Sequence, residues 1–210
     1  MAHGATRSRI GPLKIDRPAD PEGDALVARV VAGDRAAFSV LVQRFGPILY
    51  RIAYRMLADG GDAEDVAQDA LLRLWTLGDR WQSERAGVAP WLKRVTINLC
   101  FDRLRRRKFT SDAPAPERTD ETPAADEALH SRRLQAATLA CVQGLAERQR
   151  AAIVLTYYEE MPNASAAAAM DMQIKAFESL VHRARQALRD ALLASGLIDQ
   201  ARDGTWGERS

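Results

Sequence analysis

The sequence predicts an all-α protein made of two small helical domains joined by a flexible linker. Apolar residues recur at three- and four-residue steps through most of the chain, which is typical of helices with one buried face. No stretch alternates apolar and polar residues as a strand would, and one acidic, proline-containing segment interrupts the helical pattern. The predicted parts are a disordered extension, a first domain, a linker, a second domain and a tail, at residues 1–23, 24–108, 109–127, 128–194 and 195–210.

Composition limits the classes of function that the chain can serve. Hydrophobic residues make up 47% and charged residues 28%, which is typical of a globular protein with a real core. The formal net charge is only +2, so any contact with nucleic acid must come from local clusters of basic residues. No run of residues is apolar enough to cross a bilayer, and we expect a soluble, cytoplasmic protein without a membrane partner.

The first domain begins with a short helix over residues 24–32 and a longer helix that Asp34 caps. We expect Gly46 and Pro47 to kink this second helix. Its predicted buried stripe consists of Phe38, Leu41, Val42, Phe45, Leu49, Ile52 and Met56.

Two further helices complete the first domain. The third, over residues 62–75, has an apolar face of Ala63, Val66, Ala67, Ala70, Leu71 and Leu74. The fourth, over residues 89–108, has Trp91, Leu92, Val95 and Leu99 as its core stripe. The linker that follows holds three prolines and six acidic residues, so it cannot bury enough apolar surface to offset its ordering entropy.

The second domain is predicted to end in a helix-turn-helix. A helix over residues 147–160 stops at Met161 and Pro162, and Asn163 can cap a short alanine-rich helix. Asp171 suits the left-handed position of the turn, and a long helix spans residues 173–193. The predicted core positions of that helix are Ile174, Phe177, Val181, Ala184 and Leu188.

An acidic face marks the third helix. Five acids and no base occur between Asp59 and Asp69, and Asp62, Asp65 and Asp69 align on the predicted solvent side. These carboxylates either stabilise the helix amino terminus or form a docking surface for a basic protein partner.

A basic cluster marks the end of the fourth helix. Five positive charges fall within residues 103–108, and one polar face combines Arg94, Asn98, Asp102, Arg105 and Arg106. A solvated helix end needs only one or two such cations, so nucleic-acid contact is the better explanation. Trp81, in the preceding loop, could either stack on an unpaired base or anchor the loop.

The last helix also has a basic outward face, interleaved with its core positions. A recognition helix in the major groove would read base edges with its first two turns and use later arginines for phosphates. A solvated amphipathic helix of mixed charge is the alternative. The outward residues include Gln173, Lys175, Glu178, Ser179, His182 and Arg183.

The sequence gives no support for catalysis, a cofactor or a metal. The three histidines are scattered, and no metal-protease, phosphate-binding or dinucleotide motif occurs. Cys100 and Cys141 lie far apart in helical patterns, and we expect each to be a small buried side chain in a reducing compartment. We therefore predict no catalytic residue, no cofactor and no small-molecule substrate.

Taken in order, these segments resemble the extracytoplasmic-function (ECF) sigma factors of the sigma-70 family. GDAEDVAQDALLRLW at residues 61–75 resembles the polymerase-binding helix of that family. PWLKRVTINLCFDRLRRRK at residues 90–108 resembles its helix for promoter melting and minus-ten recognition. LAERQRAAIVLTYYEEMPNASAAAAM followed by FESLVHRARQALR resembles its minus-thirty-five domain, so the likeness covers about residues 24–193.

The resemblance implies a role for each candidate residue. Those expected to face the clamp helices of the polymerase's largest subunit are Asp62, Asp65, Gln68 and Asp69. Those expected at the minus-ten element are Trp81, Arg94, Asn98, Asp102, Arg103, Arg105, Arg106 and Arg107. Those expected at the minus-thirty-five element are Gln173, Lys175, Glu178, Ser179, His182 and Arg183.

The implied partners are core RNA polymerase, through its clamp helices and flap, promoter DNA, and an anti-sigma factor. One alternative is a helix-turn-helix regulator that acts without polymerase, which would need a dimerisation helix. Another is an enzyme or adaptor, which would need a pocket with converging titratable groups. The sigma interpretation expects the carboxylates of the third helix and the arginines of residues 103–108 to lie on separate, uncovered surfaces.

Overall fold

The computed structural model describes residues 20–77, 87–109 and 126–199. Within these ranges the protein is helical and contains no strand. The first domain comprises α1 (Pro21–Val31), α2 (Arg35–Leu57), α3 (Gly60–Leu77) and α4 (Val88–Phe109). The second domain comprises α5 (Asp126–Gln143), α6 (Glu147–Ile153), a π-helical turn (Val154–Tyr158), α7 (Asn163–Ala169) and α8 (Ile174–Ala194). The predicted extension, most of the linker, the Trp81 loop and the end of the tail lie outside the described residues.

Acidic side chains cap the first three helices. Asp20 accepts from the Gly23 amide, so α1 begins at Pro21, a few residues before the predicted start. Asp34 accepts from the amides of Ala36 and Ala37, as predicted.

The acidic stretch contributes the third cap. Asp59 accepts from the Asp62 amide at 2.7 Å and starts α3. One of the five acids therefore has a local structural role.

The helix α1 also fixes the start of α4. The Val88 amide donates to the Asp24 carboxylate at 3.1 Å, and burial raises the pKa of that carboxyl while this hydrogen bond opposes the rise. Only glycine fits at position 23, because a Cβ there would lie 2.7 Å from Val88 Cγ1. Close approach of α1 thus sets where α4 begins.

The predicted core of the first domain is largely confirmed. All six apolar residues expected on α3 are buried, as are most of those expected on α2 and α4. Val42 is an exception, because its side chain is 37% exposed on the outer side of α2. The helix α2 continues through Gly46 and Pro47 as one element from Arg35 to Leu57.

The second domain contains the expected short helix, turn and long helix, with two corrections. Asn163 is the first residue of α7 and makes no cap, because Pro162 occupies the capping position. Ile174 is 45% exposed because it lies in the first turn of α8, ahead of the buried positions that begin at Phe177. Asp171 has φ 53°, which confirms the left-handed turn.

The two cysteines differ in environment. Cys100 is buried in the first domain, and this burial raises the pKa of its thiol. Cys141 is only half-buried, so the expectation of a second fully buried cysteine is wrong. Its sulfur lies 3.5 Å from Ser195 Oγ, near the end of α8.

The two domains pack against each other, so apolar residues of both form one continuous buried cluster. The helix α7 lies against α4, and α5, α6 and the π-helical turn lie against α2. None of the helices in the described ranges is long and apolar enough to span a membrane.

Candidate protein and nucleic-acid interfaces

Ion pairs join the acidic face of α3 to the basic end of α4. Arg103 contacts the carboxylates of Asp62 and Asp65, the latter at 3.1 Å. Arg107 contacts Asp62 as well, lies 3.5 Å from Asp59, and donates to the Leu57 carbonyl at 3.1 Å. The adjacent faces of α3 and α4 therefore carry opposite charges that neutralise each other.

The expected separation of the two charge signs is wrong at these residues. The helices α3 and α4 pack side by side, and Asp62 lies between two arginines with its side chain 19% exposed. Sequence periodicity placed Asp62 on a solvent face because it does not reveal which neighbouring helix covers that face.

We predict that Arg103→Ala lowers the free energy of unfolding by about 1–2 kcal/mol, because Asp62 and Asp65 lose a charged hydrogen-bond donor. Chemical denaturation measures this change. Arg105→Ala is the matched control, since Arg105 pairs with Asp102 on an exposed surface and such pairs contribute little. Equal losses for the two variants would contradict a structural role for Arg103.

The outer side of α3 keeps an exposed polar surface. The Asp65 side chain is 60% exposed despite its contact with Arg103, and Gln68 and Asp69 are also exposed. Three of the four predicted polymerase-binding residues are thus accessible from solvent, whereas Asp62 is held by arginines.

The predicted polar face of α4 divides into a covered and an accessible part. Arg94 is buried at 4% exposure, 3.9 Å from Asp171 of the second domain, and burial lowers its pKa. The prediction that Arg94 lies on an exposed polar face is therefore wrong. Asn98 and Asp102 are half-buried.

The accessible part is the last turn of α4. Arg105 is 68% exposed and pairs with Asp102 at 2.8 Å, and Arg106 is exposed beside it. Trp81 lies outside the described residues, so the candidate minus-ten surface is described here by the residues of α4.

The outward face of α8 is uncovered along its first half. The six residues predicted to read DNA are all exposed, while Phe177, Leu180, Val181 and Ala184 face the core. Side chains three and four residues apart share this face. The exposed six are Gln173, Lys175, Glu178, Ser179, His182 and Arg183.

Sequence reasoning missed the residues that join the domains. Arg150 is 8% exposed, and the Lys93 and Glu159 side chains form an ion pair at 2.8 Å. Lys93 and Glu159 lie 66 residues apart, and no local pattern connects them. The only hint was one arginine directly before a run of apolar residues at 151–155.

None of the described residues form a group of His, Cys, Asp or Glu suited to hold a metal ion. Half of the residues that line a groove between α5 and α8 are alanines, and Cys141 is the titratable residue in its lining.

Comparisons with known proteins agree with a protein of two helical domains. Residues 41–110 match the family Sigma-70 region 2, and residues 135–188 match the family Sigma-70, region 4. The chain is 33% identical to the ECF RNA polymerase sigma factor SigE of Mycolicibacterium smegmatis over 180 residues, covering 82% of this chain and 68% of SigE. It is 32% identical to the RNA polymerase sigma factor NccH of Alcaligenes xylosoxydans xylosoxydans, covering 85% of this chain and 99% of NccH.

A solved structure agrees with this fold. The structure of CnrH in complex with the cytosolic domain of CnrY superposes with a TM-score of 0.63 at 27% identity, covering 82% of this chain and 98% of CnrH. Two domain families in the expected order, together with relatives that match across both domains, decide the class. The chain belongs to the ECF sigma factors of the sigma-70 family, which bind core RNA polymerase and direct promoter recognition and transcription initiation.

Proposed function

We propose that three exposed surfaces divide the work of this sigma factor. The outer side of α3 docks on a basic surface of the polymerase's largest subunit, the end of α4 contacts the minus-ten region, and α8 reads the minus-thirty-five element. The observation that carries this proposal is the exposure of all six residues predicted to read DNA, on α8 and at its N-cap. We also propose that the two domains span residues 24–108 and 128–194, with residues 109–127 as the linker between them.

The chemistry of α8 suits the major groove of duplex DNA. A helix fits that groove, and Gln173 at the N-cap of α8, with Lys175 and Ser179 in its first turns, can donate hydrogen bonds to base edges. Glu178 can accept from a cytosine amino group, and Arg183 can neutralise a phosphate.

The chemistry of α4 suits the opened promoter. Arg105 and Arg106 can neutralise phosphates, while Asn98 offers an amide for a base edge. Binding energy gained by holding unstacked bases favours the open duplex over the closed one, without nucleotide hydrolysis.

We propose that the protein carries no catalysis of its own and acts in the cytoplasm, where its polymerase is found. A protein partner that masks its surfaces, an anti-sigma factor, completes the proposal, and the second domain would also touch the flap of the polymerase. CnrH, at 27% identity, is found in complex with the cytosolic domain of a second protein, which supports such a partner.

Run-off transcription tests this function. Purified chain, bacterial core polymerase and a library of promoter fragments are mixed, and we expect transcripts of defined length only when both proteins are present. The matched variant Arg183→Ala should keep core binding and lose transcripts from fragments that depend on the upstream element. Specific DNA binding without any transcript would favour the helix-turn-helix regulator instead.

A further inference from the structure

The groove between α5 and α8 has room for a large side chain. Its volume is about 430 Å³, and the methyl groups of its alanines leave the space between the two helices open. Along α8 the lining runs from Ala187 to Ser195, directly after the helix ends. Eight helical residues span about 12 Å, which is enough for one aromatic ring system.

A few polar side chains also line this groove. Cys141 Sγ lies 3.5 Å from Ser195 Oγ and 3.7 Å from the Ala191 carbonyl oxygen. Gln149 belongs to the lining as well, and its side-chain oxygen can accept a hydrogen bond. An apolar groove with hydrogen-bond acceptors suits an indole, which combines a large apolar body with one N–H donor.

The end of α8 turns the chain back on itself. The Gly196 amide donates to the Leu193 carbonyl, and the Leu197 amide donates to the Leu192 carbonyl, each at 3.0 Å. With Gly196 at φ 68°, these two hydrogen bonds form a Schellman motif. The chain is described as far as Asp199, a few residues after this reversal.

The chain continues for eleven residues after Asp199, and these lie outside the described residues. Trp206 is the one large apolar residue in this C-terminal segment, 200–210, and Gly204 and Gly207 lie close to it in sequence. Trp206 comes seven residues after Asp199, so an extended chain can carry it as far as about 25 Å. This reach exceeds the length of the groove.

We propose that the C-terminal segment folds back on the second domain and packs the indole of Trp206 into the groove between α5 and α8. Burial of the ring system, which removes about 150–250 Å² from water, provides the driving force. The indole N–H donates to a polar group of the lining, and the ring covers Cys141. This contact goes beyond the proposed function and does not depend on it.

The attachment of the segment to α8 favours it over other occupants of the groove. A short tether holds Trp206 near the groove at an effective concentration of about 1 mM or more. A second copy of the chain would have to reach that concentration in solution to compete equally.

Alkylation of Cys141 by iodoacetamide tests the contact in the full chain. Trp206→Ala should raise the rate about tenfold, because access to the sulfur controls its reaction once the indole is gone. Peptide mass spectrometry assigns the reaction to Cys141 and separates it from that of the buried Cys100. Thr205→Ala is the matched control in the same segment and should keep the wild-type rate. An unchanged rate for Trp206→Ala would overturn the proposal.

A substitution in the groove tests the same contact from the other side. Ala140 lines the groove at an exposed position of α5, so Ala140→Arg places a long charged side chain there without disturbing the core. The emission of Trp206, obtained as the difference from the same chain carrying Trp206→Phe, should shift to longer wavelength as the indole enters water. Emission that does not respond to Ala140→Arg would contradict the contact.

The control for this variant is Ala136→Arg. It adds the same side chain one helical turn earlier on α5, at an exposed residue that is not part of the groove lining. Trp206 emission should stay as in the wild type, and circular dichroism verifies that both variants are folded. An equal shift in the two variants would overturn the assignment of the groove.

The dependence on protein concentration separates the C-terminal segment from a second copy of the chain. A groove covered by Trp206 of the same chain protects Cys141 equally at every concentration. Protection that develops only as the protein concentration rises would place a second copy in the groove and overturn the proposal.

Discussion

Replacing Asp65 and Asp69 together with arginine should weaken binding to core RNA polymerase by about 10- to 100-fold, which corresponds to about 1.4–2.8 kcal/mol. Both carboxylates lie on the exposed outer side of α3, where a basic partner surface would meet two reversed charges. Competition for core polymerase against a fluorescent sigma factor measures the affinity. Unchanged affinity would refute the docking role of α3.

The stability of the double variant should change little. The contact of Asp65 with Arg103 is largely solvent-exposed, and such pairs contribute at most about 1 kcal/mol. A double replacement of Asp190 and Asp199 by arginine is the matched control, because it makes the same charge change at exposed residues in α8 and in the tail that follows it. An equal drop in core affinity for both variants would indicate a general charge effect.

Replacing Arg105 and Arg106 together with alanine should reduce promoter binding and opening by the holoenzyme, and the dependence on salt should become shallower. Removing one phosphate neutralisation lowers the slope of log K against log salt by about 0.7–0.9. Titrations of promoter DNA at several salt concentrations measure the slope, and fluorescence of a base analogue at the minus-ten region reports opening.

The control for this variant removes the same charge elsewhere in the first domain. Arg35 and Arg51 are exposed on α2, and their double replacement by alanine should leave the salt slope unchanged. An unaltered slope in the Arg105 and Arg106 variant would contradict phosphate binding by the end of α4.

The elements of this fold that depend on local physics could be predicted from the sequence. The spacing of the apolar residues of α3 predicted its buried face correctly, because a helix with one apolar face packs that face against the core. Asp34 and Asp171 were identified because a cap and a left-handed turn each require particular residue types. The exposed face of α8 followed from the same periodicity.

Features that depend on packing between elements could not be predicted. Arg94 and Asp62 occupy polar positions of their helices, and only the position of a neighbouring helix determines that they are covered or paired. The hydrogen bond of Arg150 to Met56 joins residues 94 positions apart, across a segment whose composition carries no signal of docking. A helical wheel of one segment does not show such partners. The positions of charged residues therefore predict exposure less well than the spacing of apolar residues predicts burial.

The π-helical turn at Val154–Tyr158 is part of the connection between α6 and the helices α7 and α8. A π turn fits one more residue than a regular α-helix does, and each helical residue rotates the chain by about 100°. Deleting a single residue there would favour a regular α-helix and would change the orientation of α7 and α8 relative to α6. The orientation of α8 therefore depends on the number of residues in this turn.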